Sequence, residues 1–201
     1  MYERKDPFYR RAKVSGYRSR AAFKLQQLAQ RFRLFRAGDC VIDLGAWPGG
    51  WLQVAAEQVG PTGLVIGVDQ QPIDPLPDAT VTVLTGDVSD ADIAERLSRV
   101  CARKADVVLS DLAPKLSGVR DRDAAHAQRL VDCVLTLAER LLRPGGHLVV
   151  KLFTTAEVPA CMARLHAEFA EVRTTRPEAT RKGSSELYAV AKRFRPRAGA
   201  A

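Results

Sequence analysis

The sequence predicts an α/β fold built on a mostly parallel seven-stranded sheet with helices on both faces. Three observations carry that expectation. From Gly38-Asp39 onward, short Val/Ile/Leu-rich runs alternate with segments of helical period, the pattern of a buried parallel sheet with crossover helices. Acidic residues collect where these runs end. One run, His147-Leu148-Val149-Val150-Lys151-Leu152-Phe153, follows the turn signal Pro144-Gly145-Gly146 and carries a lysine near the end of a strand that should be buried. Open α/β sheets bind their ligands at strand carboxyl ends. A lysine there either snorkels to water or, once buried, can shed its proton and serve as a base.

Taken in order, the chain up to about Gly16 is polar and basic, with Phe8, Tyr9 and Tyr17 interleaved, and no helix is assigned there. A helix follows Ser19. Ala21, Leu25, Leu28 and Phe32 fall on one face of it, with Lys24 at the edge of that stripe. Strands are expected at about 40–44, 64–69, 80–85, 106–110 and 146–152, with two more near 170–175 and 186–192. Helices are expected at about 50–58, 90–102, 123–142 and 156–167. One domain is expected over residues 1–194, with 1–36 as its basic N-terminal segment and helix. Residues 195–201 read as a disordered tail.

The bulk numbers exclude several classes. The chain has 201 residues, enough for a sizeable core, and 46% hydrophobic content, ordinary for a globular protein. No apolar run is long enough to span a membrane. Met1-Tyr2-Glu3-Arg4-Lys5-Asp6-Pro7 has no apolar segment of the kind a secretory signal needs, so a cytoplasmic location is expected. Cys40, Cys101, Cys133 and Cys161 form no C-x-x-C pair and sit in or beside apolar segments. Four buried free thiols are expected. His126, His147 and His166 lie far apart, show no zinc spacing, and no metal is expected. The formal charge of +8 is uneven: residues 1–36 carry +9, residues 37–172 carry −7 and residues 173–201 carry +6. Basic ends of this kind are either solvated tails or contacts to a polyanion.

The first strand runs into Asp43-Leu44-Gly45-Ala46-Trp47-Pro48-Gly49-Gly50-Trp51. A glycine-rich turn between strand and helix lets backbone approach a ligand closely. It is neither G-x-G-x-x-G nor a Walker A loop, which argues against a nicotinamide oxidoreductase. Asp69, Asp87 and Asp111 end the second, third and fourth strands. Singly, each can cap a turn or helix. With the acid of the glycine loop they form a set at one sheet edge. Asp69 can accept from ribose hydroxyls, and Asp87 from an adenine amino group. An adenosine-like ligand that is cationic and lacks phosphates suits such acids, and S-adenosylmethionine is one.

Five stretches make the likeness specific: Tyr17-Arg18-Ser19-Arg20-Ala21-Ala22-Phe23-Lys24-Leu25, the glycine loop, Ser110-Asp111-Leu112-Ala113-Pro114, Val149-Val150-Lys151-Leu152-Phe153 and Ser185-Glu186-Leu187-Tyr188. In these the chain resembles the FtsJ/RrmJ family of S-adenosylmethionine-dependent ribosomal RNA ribose 2′-O-methyltransferases, from about residue 8 to 194. The resemblance implies a Rossmann-like methyltransferase fold and a catalytic tetrad at Lys24, Asp111, Lys151 and Glu186, with Lys151 as base. It implies cofactor contacts at Gly45, Gly49, Trp51, Asp69, Asp87 and Asp111. It also implies a monomer acting on a uridine of large-subunit ribosomal RNA within the assembled subunit. Arg10, Arg11, Lys13, Arg18 and Arg20 are candidates for phosphate contacts, and Tyr9 or Tyr17 for stacking on a base, although Tyr17 suits core packing equally.

Two departures from the family pattern stand out. Trp47 replaces a residue that is usually small, and can crowd the methionine end of the cofactor or point away. Lys115 stands where asparagine is common and adds charge on the RNA side. Transfer-RNA and organellar relatives share the tetrad, so the RNA class is left open between them. A small-molecule or protein methyltransferase would explain the glycine loop but not Lys24, Lys151, Glu186 or the basic ends. A non-catalytic RNA-binding module would not explain why all four tetrad positions are filled.

Overall fold

The structure, a computed structural model, describes residues 6–114, 117–154, 158–181 and 183–196, without the Arg120 side chain. Lys115 and residues 197–201 of the expected tail lie outside the described residues. In chain order the elements are α1 (Pro7–Val14), α2 (Ala22–Phe32), β1 (Cys40–Leu44), α3 (Gly50–Val59), β2 (Leu64–Asp69), β3 (Val81–Thr85), α4 (Ile93–Cys101), β4 (Ala105–Ser110), α5 (Arg120–Leu141), β5 (Leu142–Phe153), α6 (Val158–Glu168), β6 (Phe169–Thr175) and β7 (Glu186–Phe194). The seven strands form one sheet in the order β3-β2-β1-β4-β5-β7-β6. All neighbours are parallel except β7, which runs antiparallel to both β5 and β6. The expected mostly parallel seven-stranded α/β sheet is the observed one.

Successive residues of a strand face opposite sides, and the core divides accordingly. Ile42, Leu44, Val108, Leu148 and Val150 pack with α4, α5 and α6. Val41, Val65, Leu109, Val149 and Val190 pack with Leu25 and Leu28 of α2 and with Trp51, Leu52 and Ala55 of α3. The central strands β1 and β4 are buried throughout, which is why their sequences read as continuous apolar runs rather than as alternation.

Three local expectations are corrected. Residues 7–14, to which no helix was assigned, form α1. The Asp6 carboxylate accepts from the backbone N–H groups of Phe8 and Tyr9, Pro7 occupies the first turn, and this pair is a strong helix start. Phe8 and Ala12, four apart, pack with Phe23, Tyr17 and Ala179. The Pro144-Gly145-Gly146 turn lies inside β5, whose register against β4 shifts between Ala105 and Val107. Finally, Cys40 of β1 and Cys101 of α4 are paired as a disulfide at a Cα separation of 7.2 Å, because α4 packs directly against that side of the sheet. Cys133 and Cys161 are the free thiols among the described residues.

Candidate active site

The strand order reverses between β1 and β4, and the carboxyl ends of the strands open a crevice there. Register builds its floor on the α2/α3 side. Asp43 pairs with Gly67 and Leu109, Leu109 with Val149, and Val149 with Val190. Two residues further toward the crevice on the same side stand Asp69, Gly45, Asp111, Lys151 and Tyr188. Of these, Lys151 and Tyr188 are direct cross-strand partners, as are Phe153 and Glu186.

Side chains from α2, β4, β5 and β7 meet in this row. Lys151 Nζ donates to the Asp111 carbonyl oxygen at 2.6 Å and lies 3.1 Å from Asp111 Oδ1. Lys24 Nζ, from α2, lies 2.6 Å from Glu186 Oε1 and donates to the Tyr188 hydroxyl at 3.2 Å. Tyr188 in turn donates to Asp111 Oδ1 at 2.6 Å. One connected chain therefore runs Glu186–Lys24–Tyr188–Asp111–Lys151. Lys24 and Lys151 are only 8% and 7% exposed, so these pairs are weakly screened by water. Burial, and then the Asp111 and Glu186 carboxylates, push the Tyr188 hydroxyl far above the usual phenol range, so it remains an O–H donor. Tyr188 was not singled out in the sequence. Its signal is the i, i+2 spacing from Glu186, which puts both on one strand face.

Beside this network, a cleft of about 420 Å3 is bounded by Gly45, Trp47, Asp69, Gln71, Asp111 and Leu112, with further residues from the ends of β3 and α5. The Asp69 carboxylate is fixed by two backbone N–H groups, Trp47 on Oδ2 at 3.0 Å and Gln71 on Oδ1 at 2.9 Å. Gly45 has φ +85°, and a Cβ there would meet the Leu112 side chain at 2.4 Å, so glycine is required both for the turn and for the space. Neither lysine nor arginine lines the cleft among the described residues, whereas Asp69 and Asp111 do. These walls fit a cationic, phosphate-free nucleoside.

Trp47 is 51% exposed at the mouth of this cleft, so it neither fills the cleft nor leaves it. Asp87 adjoins the cleft wall, but its carboxylate is engaged by the backbone and hydroxyl of Ser89 and by Gln70; the bonds from Ser89 hold it below the usual carboxylate range. Trp51 turns its indole into the core, where Nε1 donates to the Ala21 carbonyl at 2.8 Å. Gly49 leaves room for Arg18: a Cβ would lie 3.0 Å from Arg18 Nη1.

The basic N-terminal residues divide into two groups. Arg10, Arg11 and Lys13 are exposed on α1. Arg18 instead spends its guanidinium on the carbonyls of Pro48, Asp74 and Pro75, and Arg20 binds Asp6 and the Ala179 carbonyl. Tyr17 is held by Glu57 and Gln26 and packs edge-on against Phe23, which makes it a packing residue. Tyr9 is 41% exposed. Arg18→Ala should accordingly lower the melting temperature, by roughly 2–4 °C for each kcal/mol lost in a domain of this size. A thermal melt of the variant beside the wild-type protein checks this.

Comparison with known proteins decides the family. A model of the FtsJ-like methyltransferase family matches residues 17–194. The chain belongs to the FtsJ-like methyltransferase family. Among FtsJ-like relatives, a ribosomal RNA large subunit methyltransferase E of Methanobrevibacter smithii is 42% identical over 98% of this chain and 94% of its own length. The protein of the same name from Syntrophobacter fumaroxidans is 43% identical, covering 96% and 98%. A solved structure of a candidate ribosomal RNA methyltransferase from Plasmodium falciparum superposes with a TM-score of 0.79 at 27% identity, covering 90% of this chain and all of that one. A SAM-dependent O-methyltransferase of Thermotoga maritima, 16% identical, shares the fold at a TM-score of 0.57, covering 87% of this chain and 66% of that one. The fold is thus the Rossmann-like one of S-adenosylmethionine-dependent methyltransferases. Within this FtsJ-like chain, Lys24, Asp111, Lys151 and Glu186, drawn from four separate elements, stand in one hydrogen-bonded network.

Proposed function

We propose that this protein transfers a methyl group from S-adenosylmethionine to a ribose 2′-hydroxyl of large-subunit ribosomal RNA, at a uridine within the assembled subunit. The observation that carries the reaction class is the burial of Lys151 on Asp111 at the edge of an acid-lined nucleoside-sized cleft. The names of the FtsJ-like relatives support the RNA class. Gly45, Asp69 and Asp111 would hold the cofactor, which supplies an electrophilic methyl group when bound.

Lys151 acts as the base for the ribose hydroxyl. A neutral lysine amine has two N–H donors and one lone pair. The carbonyl and carboxylate of Asp111 accept two donors, which leaves the lone pair free for the incoming hydroxyl proton. The Tyr188 hydroxyl donates to the same Asp111 oxygen and fixes the orientation of that carboxylate beside the amine. Lys24, anchored by Glu186, positions the 2′-oxygen or its neighbouring phosphate. Positioning supplies much of the rate in such an in-line transfer.

The RNA lies across the mouth of the site, with Arg10, Arg11 and Lys13 on its phosphates. Replacing all three with glutamine should weaken RNA binding and reduce the salt slope by up to about 0.7–0.9 for each lost contact. An unchanged affinity and slope would exclude α1 as the docking surface. Incubation with methyl-labelled S-adenosylmethionine and either ribosomal subunits, bulk RNA or protein tests the substrate class. Label is expected in subunit RNA, and label in protein would overturn the reading.

A further inference from the structure

The basic C-terminal block is a feature of the chain that the mechanism above does not use. Three of its cations are spent inside the fold: Lys192 donates to the Phe32 carbonyl, Arg195 donates to the Phe169 carbonyl, and Arg193 pairs with Glu171. Arg176 is placed differently. It follows the last residue of β6 and is exposed. Its Nε donates to the Glu186 carbonyl at 3.0 Å, and among the described residues no carboxylate pairs with it.

Arg176 lines a groove of about 380 Å3 between α2 and the connection from β6 to β7. Arg31 of α2 stands on the opposite wall. It is exposed, donates through Nη1 to the Thr175 hydroxyl at 2.8 Å, and also has no carboxylate partner among the described residues. Leu28 and Pro177 give the groove an apolar floor, Gln27 adds an amide, and Glu178 is an acid on its rim. The far wall is anchored. Fully buried Ala179 donates its N–H to Gln27 Oε1 at 3.2 Å, and its carbonyl accepts from Arg20.

The groove adjoins the reaction centre on both sides. Lys24, Leu28 and Arg31 share one face of α2, with Arg31 roughly 10 Å beyond Lys24 along the axis. On the other wall, Arg176 is bonded to the backbone of Glu186, the partner of Lys24. Two guanidiniums held only by neutral acceptors keep their full charge and have donors left for phosphate oxygens. An apolar floor with an amide beside it suits an unpaired base.

We propose that this groove is a second docking surface for the RNA, in which Arg31 and Arg176 bind the phosphate of an unpaired nucleotide flanking the methylated one. This rests on the RNA reading above. Ala179 also packs on Ala12 of α1, so the groove and the exposed cations of α1 flank one turn of the chain.

The test combines Arg31→Gln with Arg176→Gln in the full chain, beside a variant that combines Arg31→Lys with Arg176→Lys. Affinity for ribosomal subunits is measured at several salt concentrations, with cofactor affinity by calorimetry and methyl transfer over a range of subunit concentrations. The glutamine pair should lower the salt slope by about 0.7 for each lost contact and raise KM rather than lower the saturated rate, with cofactor affinity unchanged. The lysine pair should restore the slope, because charge and not the bonds to Thr175 and Glu186 sets it. A structural role alone would move the melting temperature and leave the slope in place. An unchanged slope overturns the proposal; if affinity falls all the same, a ribosomal protein occupies the groove instead. Should the glutamine pair fail to fold, Arg31 and Arg176 of the wild-type protein are probed with an arginine-specific dicarbonyl reagent, with and without subunits. Protection that nuclease treatment of the subunits removes supports the docking. Equal modification, or protection that survives the nuclease, overturns it. A wild-type protein that transfers no methyl group to RNA would overturn the RNA reading, and this inference with it; one that methylates RNA while the glutamine pair keeps its slope overturns this inference alone.

Discussion

Lys151→Ala is expected to abolish methyl transfer while leaving S-adenosylmethionine affinity nearly unchanged. The amine stands at the crevice end of β5 and does not itself line the nucleoside cleft, and Asp111, which does, keeps its Tyr188 hydrogen bond when the amine is removed. Lys151→Arg should fail as well, because a guanidinium does not deprotonate in proteins and its planar fork does not reproduce the geometry of one amine between two Asp111 oxygens. Single-turnover transfer to ribosomal subunits, together with cofactor binding by calorimetry, gives both readouts. A Lys151→Ala variant with wild-type turnover would remove Lys151 from the role of base.

Asp111→Ala is expected to damage both cofactor binding and turnover. Its carboxylate bounds the cleft, lies 3.1 Å from Lys151 and accepts from Tyr188 at 2.6 Å. Truncation leaves Lys151 with the carbonyl alone and removes the acceptor of the buried Tyr188 hydroxyl. Each hydrogen bond to a charged group is worth about 1.5–3 kcal/mol, so the variant should also melt several degrees lower. Tyr188→Phe removes the donor to Asp111 and the acceptor of Lys24 Nζ but leaves the Asp111 carboxylate in place, and should be milder in both assays. A Tyr188→Phe variant as impaired as Asp111→Ala would mean that the phenol, rather than the carboxylate, organises the site.

Much of the sheet was legible in the sequence because its strands are buried on both faces, so that β1, β2 and β4 read as uninterrupted apolar runs. Asp111 and Lys151 stood out because a carboxylate or lysine at the end of such a run has few structural reasons to be there, whereas Lys24, at the edge of a helical stripe, and Glu186, at the start of a strand, were singled out as catalytic only by the family resemblance. What was not legible depended on partners far away in sequence. Arg18 looks like a free cation until Pro48, Asp74 and Pro75 present three carbonyls to it. Trp51 looks like part of the cofactor loop until Ala21 claims its indole. Cys40 and Cys101 are 61 residues apart, and only the packing of α4 on β1 brings them together. Tyr188 is hidden for the opposite reason: an aromatic in a strand is ordinary, and only the antiparallel placement of β7 beside β5 sets its hydroxyl between Lys24 and Asp111. The start of α1 could have been found, since Asp6-Pro7 is a helix-start signal in its own right.

The central claim is that one ribose of large-subunit RNA receives its 2′-methyl group through Lys151. Its most direct test is a ribose-methylation map of ribosomal RNA from cells lacking this protein, complemented with either the wild-type chain or Lys151→Ala. The account predicts one alkali-resistant large-subunit position, at a uridine, that is restored by the wild-type chain and not by the variant. A map identical in all three, or a site restored equally by Lys151→Ala, would contradict it.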